Sequence, residues 1–120
     1  MTDLKVHIVE DQVIIAYDLQ DIIENMGHQV NNISSSVDEA ISKIHMRTSD
    51  LFIVDINLQG DKKGFELGKF LEKSKRPFIY MSSVDIADQS ERNRACAFLS
   101  KPFDKNDVQR AIEIICRKVA

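Results

Sequence analysis

The chain has 120 residues, 43% of them hydrophobic and 29% charged, with a formal net charge of -3. That length supports one domain around one core, and the acidic balance excludes a basic field for nucleic acid or anionic lipid. No 18-residue apolar run is present, so no membrane span is expected.

The N-terminus, MTDLKVHIVED, lacks the basic-then-apolar form of a signal peptide. Its run 4–9, rich in Val and Ile, predicts a strand that ends in the acidic pair Glu10–Asp11. Over 12–26, Ile15, Leu19, Ile22, Ile23 and Met26 form one helical stripe, which Gly27 is suited to terminate. A second strand is predicted at 29–33. A helix over 36–47 follows, with Val37, Ala40, Ile41 and Ile44 on one face, Ser36 as N-cap and Glu39 completing a capping box. The third strand, 51–54, is LFIV, apolar at every position, as expected for a strand buried on both faces. It delivers Asp55 at its tip, with Asn57 just beyond. The helix over 64–74 carries Leu67, Phe70 and Leu71, and the strand over 78–81 ends at Ser82–Ser83. The segment 84–94 is the poorest helix: after Val84, Ile86 and Ala87 it reads DQSERNR. A fifth strand, 97–100, ends at Lys101, and a last helix over 104–118 buries Val108, Ala111, Ile112 and Ile115 behind a cap at Asp104.

Five strand–helix repeats imply an α/β fold with a parallel sheet and helices on both faces. Right-handed crossovers leave the flavodoxin-like, doubly wound order 2-1-3-4-5 as the expected solution, in a single domain over 1–120. In such sheets ligands bind beyond the carboxyl ends of the strands, where the strand order reverses. Glu10, Asp11, Asp55, Ser82 and Lys101 all fall on that rim. Three carboxylates so close together repel one another unless a cation intervenes. Oxygen ligands without His or Cys suit a hard cation, Mg2+ or Mn2+. A carboxylate beside such an ion can act as nucleophile toward a phosphoryl group, with Lys101 and Ser82 binding its oxygens. Taken singly, these residues have plainer readings. Asp11 alone is a helix cap, Asp55 a turn residue, and a lysine before a proline is ordinarily solvated; it is their joint occurrence at four strand ends that points to phosphoryl chemistry. His7, His28 and His45 lack ligand spacing, Phe52, Phe65, Phe70 and Phe78 read as core, and Cys96 and Cys116 as reduced thiols of a cytosolic protein.

Four pieces carry a resemblance over the whole chain: HIVEDQ, LFIVDINL, FIYMSS and AFLSKPF. At these separations the sequence resembles the receiver domains of two-component response regulators. The resemblance implies that Asp55 is the phosphoacceptor, with Asp11 holding Mg2+ directly, Glu10 through water and Asn57 through its backbone carbonyl. It makes Ser82 and Lys101 the phosphoryl-binding pair and Phe98 the switch aromatic. It also implies a cis Lys101–Pro102 peptide, for which the bare X–Pro frequency is only about 5–6%. The partner implied is a histidine kinase or phosphotransfer protein in a phosphorelay. The output domain or downstream protein is unspecified, no nucleic acid is bound directly, and a phosphorylation-dependent dimer is one arrangement the resemblance allows. Such a protein catalyses only its own phosphoryl transfer and dephosphorylation. Three departures stand out: Gln59 where the family often has proline, a 55–64 loop one residue longer than the commonest form, and Phe98 for the frequent tyrosine. A hydrolase of the haloacid dehalogenase type would need a second acid where Asn57 stands. A flavodoxin would need a Ser/Thr/Gly-rich phosphate loop where VEDQVI stands. A receiver-like module that binds partners without phosphorylation would not need the full residue set kept here.

Overall fold

Leu51, Phe52, Ile53 and Val54 are all buried, because the strand they form lies at the middle of a sheet covered on both faces. The computed structural model describes residues 3–46 and 48–119, the last two by their backbone alone. The elements alternate as β1 (Lys5–Val9), α1 (Val13–Asn25), β2 (Gln29–Ser34), α2 (Val37–Ile44), β3 (Leu51–Asp55), α3 (Gly64–Lys73), β4 (Phe78–Ser82), α4 (Gln89–Arg92), β5 (Ala97–Ser100) and α5 (Lys105–Val119). All neighbouring strands pair in parallel, in the expected order β2-β1-β3-β4-β5. Successive strand residues face opposite ways, so the sheet divides the core. Val6, Ile8, Leu51, Ile53, Ile79 and Met81 pack under α1 and α5. Val54, Phe78 and Tyr80, from the alternate positions, pack under α2 and α3. No helix among the described residues is long and apolar enough to cross a membrane.

Most boundaries fall within a residue or two of those expected, and Gly27 follows α1 with φ +95°, as a helix-ending glycine should. Residues 36–47 form a shorter helix than expected, ending at Ile44; Arg47 lies outside the described residues, as do Met1, Thr2 and Ala120. Its cap is half the expected box. Ser36 accepts from the Glu39 N–H at 3.1 Å, but Glu39 reaches past it to the Ser35 N–H at 2.6 Å. At α5 the reciprocal arrangement is complete with aspartates. Asp104 Oδ1 accepts from the Asp107 N–H at 2.8 Å, and Asp107 Oδ2 accepts from the Asp104 N–H at 3.0 Å.

The largest departure is the fourth helix, which shrinks from 84–94 to four residues. Its one buried residue is Glu91, an acid. Arg94 serves this acid, with Nε 2.9 Å from Glu91 Oε1 in an ion-pair contact rather than an aligned hydrogen bond. Arg94 Nη1 donates to Glu72 Oε1 on α3 at 2.7 Å. The segment is therefore anchored by a charged fork where the other helices have an apolar stripe; Ile86 alone adds a buried hydrophobic contact ahead of it.

Two glycines allow α3 to approach the sheet. A Cβ on Gly68 would lie 2.7 Å from Tyr80 Cζ, and one on Gly64 would lie 2.6 Å from Ile56 Cα at the tip of β3. Tyr80 is fully buried over Gly68, edge-on to Phe65 and Phe78.

His7, on β1, is fully buried, its ring 5.0 Å from that of Phe52 and tilted 36° to it, with Nε2 2.7 Å from Ser34 Oγ. Burial first, and Lys43 second, push its pKa down from 6.5 to about 4. The unfolded chain then binds this proton between pH 6.5 and 4 while the folded chain refuses it, so stability rises with pH across that window. We expect this residue to remove roughly 3 kcal/mol of stability as the pH falls from about 6.5 to about 4. The check is the His7 ring proton resonance in NMR, which should hold its neutral position at pH 5; a midpoint near 6.5 contradicts the assignment.

Candidate functional site

Four of the five strands bring their C-terminal residue, or the one after it, to one edge of the sheet. Glu10 follows β1, where its N–H is fixed by the Ser34 carbonyl, Asp55 is the last residue of β3, Ser82 the last of β4, and Lys101 follows β5. Lys101 N–H donates to the Ser82 carbonyl at 2.8 Å, which ties the last two together. The Lys101–Pro102 peptide is cis, as the family resemblance implied.

Oxygen atoms of Glu10, Asp11 and Asp55 all lie within 4.8 Å of one another. Glu10 and Asp55 are buried, and Asp11 is half-buried. Backbone donors orient all three. Gln12 N–H donates to Glu10 Oε2 at 3.0 Å, Asn57 N–H to Asp55 Oδ1 at 2.9 Å, and Gln59 N–H to Asp11 Oδ2 at 3.0 Å. Asp11 is thus no cap for α1, whose N-cap Gln12 makes no side-chain cap bond; it is held by the loop after β3. Gly60, with φ +104°, lets that loop turn back toward it.

Lys101 corrects the expectation of a solvated ammonium. Its side chain is only 14% exposed, and Nζ bonds Glu10 Oε1 at 2.5 Å and Asp55 Oδ2 at 3.0 Å. Burial alone would lower its pKa, but the bonds to the two acids outweigh burial and raise it. Burial raises Glu10 as well, against the Lys101 and Gln12 hydrogen bonds. One ammonium facing three carboxylates leaves the site anionic. An all-oxygen donor set of this kind, within reach of one point, fits a hard divalent cation.

Because Lys101 is enclosed with buried acids, its removal should also cost stability. We expect Lys101→Ala to lose roughly 1–3 kcal/mol in urea melts without divalent ions, less than a fully buried pair because the Lys101 side chain itself keeps some solvent access. Stability equal to that of the unaltered chain would restore the solvated reading.

Among the described residues, the side chains of Ser82 and Phe98 are engaged away from the acids. Ser82 Oγ donates to the Val84 carbonyl at 2.6 Å and accepts from the Val84 N–H at 3.1 Å, so its hydroxyl is spent on the loop before α4. Phe98 is 44% exposed, with the Arg92 guanidinium 5.5 Å above its ring. Between Ser82 and Phe98 lies a pocket of ≈ 110 Å³, also lined by Tyr80 and Ile86. The Lys101–Glu10 bond and the Gln59 tether were not foreseen. The first joins residues 91 positions apart, and no local pattern announces it.

The response regulator receiver domain model matches residues 6–113. Transcriptional regulatory protein PdtaR of Mycobacterium tuberculosis is 26% identical over 113 residues, covering 92% of this chain and 55% of that protein. Sensory transduction protein LytR of Staphylococcus epidermidis is 28% identical over 114 residues, covering 91% and 44%. The chain spans about half the length of these curated relatives. Among solved structures, the signal receiver domain of a modulated diguanylate cyclase from Desulfovibrio desulfuricans matches with a TM-score of 0.85 and 27% identity, covering 98% of this chain and 96% of that one. SdrG from Sphingomonas melonis matches with a TM-score of 0.80 and 27% identity, covering 97% and 99%. Receivers of this kind are signalling modules that generally bind Mg2+ at an acidic pocket. Matched over nine-tenths of its length and built on the same 2-1-3-4-5 sheet, the chain belongs to the receiver domains of two-component response regulators.

Proposed function

We propose that residues 1–120 act as one cytoplasmic receiver unit, switched by phosphorylation of Asp55 from a histidine kinase or phosphotransfer protein. The observation that carries this reading is the meeting of Asp55 with Glu10, Asp11 and the Lys101 ammonium at the tip of the central strand. A carboxylate oxygen of Asp55 attacks the phosphorus in line. The P–O bond forms as the P–N bond of a donor phosphohistidine breaks, and the imidazole leaves with the electron pair. Glu10, Asp11, Asp55 and the Asn57 carbonyl would hold Mg2+ or Mn2+, which when bound offsets charge on the transferring oxygens. Lys101 turns from the carboxylates to a phosphoryl oxygen. Val13, Ile14 and Tyr17 open α1 beside the acids and are 61%, 84% and 57% exposed. An apolar patch bordering a reactive rim suits docking of the donor protein.

The phosphoryl group brings about −1.5 to −2 charge and new acceptors to Asp55. Ser82 is the nearest hydroxyl on the adjacent strand, and to donate to it the side chain must give up Val84. That frees the loop before α4 and opens the 110 Å³ pocket to the Phe98 ring. The output face is then α4, β5 and α5, shifted between two packings. Hydrogen exchange with and without beryllofluoride and Mg2+ tests this. Changed protection is expected across 84–103; change confined to 58–64 overturns the output face.

A further inference from the structure

A groove of ≈ 690 Å³ runs between α1 and α5, on the face of the sheet away from α2 and α3. Along α5 it is lined at positions 105, 109, 112, 113, 116 and 117, one continuous helical stripe. From Lys105 to Arg117 that stripe is about 18 Å long. Its floor is apolar: Ile112 with Cys116 from α5, Ile22 with Met26 from α1. A compact small molecule would occupy one part of such a trough, whereas about three turns of helix fill it.

Two further observations point to what fills it. His28 lines the groove and is only 6% exposed. Its Nδ1 accepts the Leu4 N–H at 3.0 Å, which places the proton of the neutral ring on Nε2. That N–H has no protein partner among the described residues, so a 94%-buried side chain presents a fixed donor where the groove admits solvent. The charges are also ordered. Lys105 and Arg117 stand at the two ends and Glu113 between them, a net positive lining on a chain of net charge -3.

We propose that this groove docks an amphipathic helix of a partner protein, apolar along its contact face, with an acidic residue at each end for Lys105 and Arg117 and an acceptor for His28 Nε2–H. This is helix-in-groove recognition, in which apolar anchors supply contact and end charges set register and direction. Glu113 adds selection, since it rejects an acid at the middle of the incoming helix. The groove shares no residue with the acid cluster or with 84–103, so occupancy does not require phosphorylation of Asp55.

The probe is a synthetic helical peptide of about 14 residues with leucines on one face and glutamates about 12 residues apart. A counterpart carries lysines in place of the glutamates. Titrated into the full chain and followed by NMR, the acidic peptide should shift Ile22, Met26 and Ile112 and the His28 Nε2 resonance. The double variant Lys105→Glu/Arg117→Glu, surface changes on a helix whose core face is untouched, should weaken it at least tenfold and take the lysine peptide instead. Absence of binding, equal binding of both peptides, or shifts centred elsewhere overturns the proposal. So does sedimentation showing that the chain self-associates through the same residues, which assigns the groove to a second copy.

Discussion

Asp55→Asn is expected to take up no phosphoryl group from acetyl phosphate and Mg2+, where the unaltered chain takes up one. The substitution keeps shape: an amide oxygen can still accept the Asn57 N–H that Asp55 Oδ1 accepts at 2.9 Å. It removes the proposed nucleophile, because a neutral amide oxygen is a far weaker electron-pair donor toward phosphorus than a carboxylate. It also puts an NH2 group within reach of Lys101 Nζ, now 3.0 Å from Asp55 Oδ2, and two donors do not bond. Lys101 then rests on Glu10 alone. One negative charge leaves a cluster of three, so repulsion falls and stability should hold or rise. Intact-mass spectrometry reads the first outcome and a urea melt the second. Stoichiometric labelling of a folded Asp55→Asn chain would move the acceptor elsewhere and sink the proposed chemistry.

Gly64→Ala should be the most damaging small substitution at the site. Its Cβ would meet the Asp55 carbonyl oxygen, and would lie 2.6 Å from Ile56 Cα and 2.9 Å from the Asp55 carbonyl carbon. These are backbone atoms at the end of the central strand, and no rotamer change relieves the overlap. Either α3 backs away, which opens the Leu67 and Leu71 contacts, or the tip of β3 shifts and takes Asp55 with it. We expect a loss of roughly 2–4 kcal/mol, with slower phosphorylation of the chain that remains folded. Gly60→Ala is the comparison. Nothing lies within 4 Å of its added Cβ, and only the φ of +104° opposes it, at a cost of about 1–2 kcal/mol. If the two variants melt together, α3 does not bear on the strand tip as described.

What could be read from the sequence tracks how local the physics is. LFIV and FIYM are buried in the central strands because unbroken apolar runs have no wet face. The periodicity of α1, α2, α3 and α5 is a property of neighbouring turns, so those helices appear where their stripes lie. The rim residues were found because strand ends in this topology must converge. The state of each rim residue was another matter. That Lys101 is enclosed, that Asp11 answers to Gln59, and that Ser82 is spent on Val84 are consequences of where the chain returns in space. The 84–94 segment folds into a shorter helix than its sequence predicts because its anchor is ionic. Glu91 and Arg94 look like surface charges in the sequence, and only the approach of Glu72 from α3 makes them an attachment.

That ionic attachment sets how the fourth helix comes loose. Unlatching it parts the Arg94 guanidinium from Glu72, while the Glu91–Arg94 pair travels with the segment, and uncovers little hydrocarbon, so the opening has a small heat-capacity change and little dependence on urea. Salt weakens it instead, to the degree that the half-exposed Glu72 end of the fork is screened. The rest of the fold, held by apolar layers on both faces of the sheet, responds in the opposite sense: strongly to urea and weakly to salt. The receiver therefore contains two parts with different thermodynamic signatures. Ionic strength tunes the readiness of the α4 segment to move while leaving the platform that carries Asp55 at nearly constant stability.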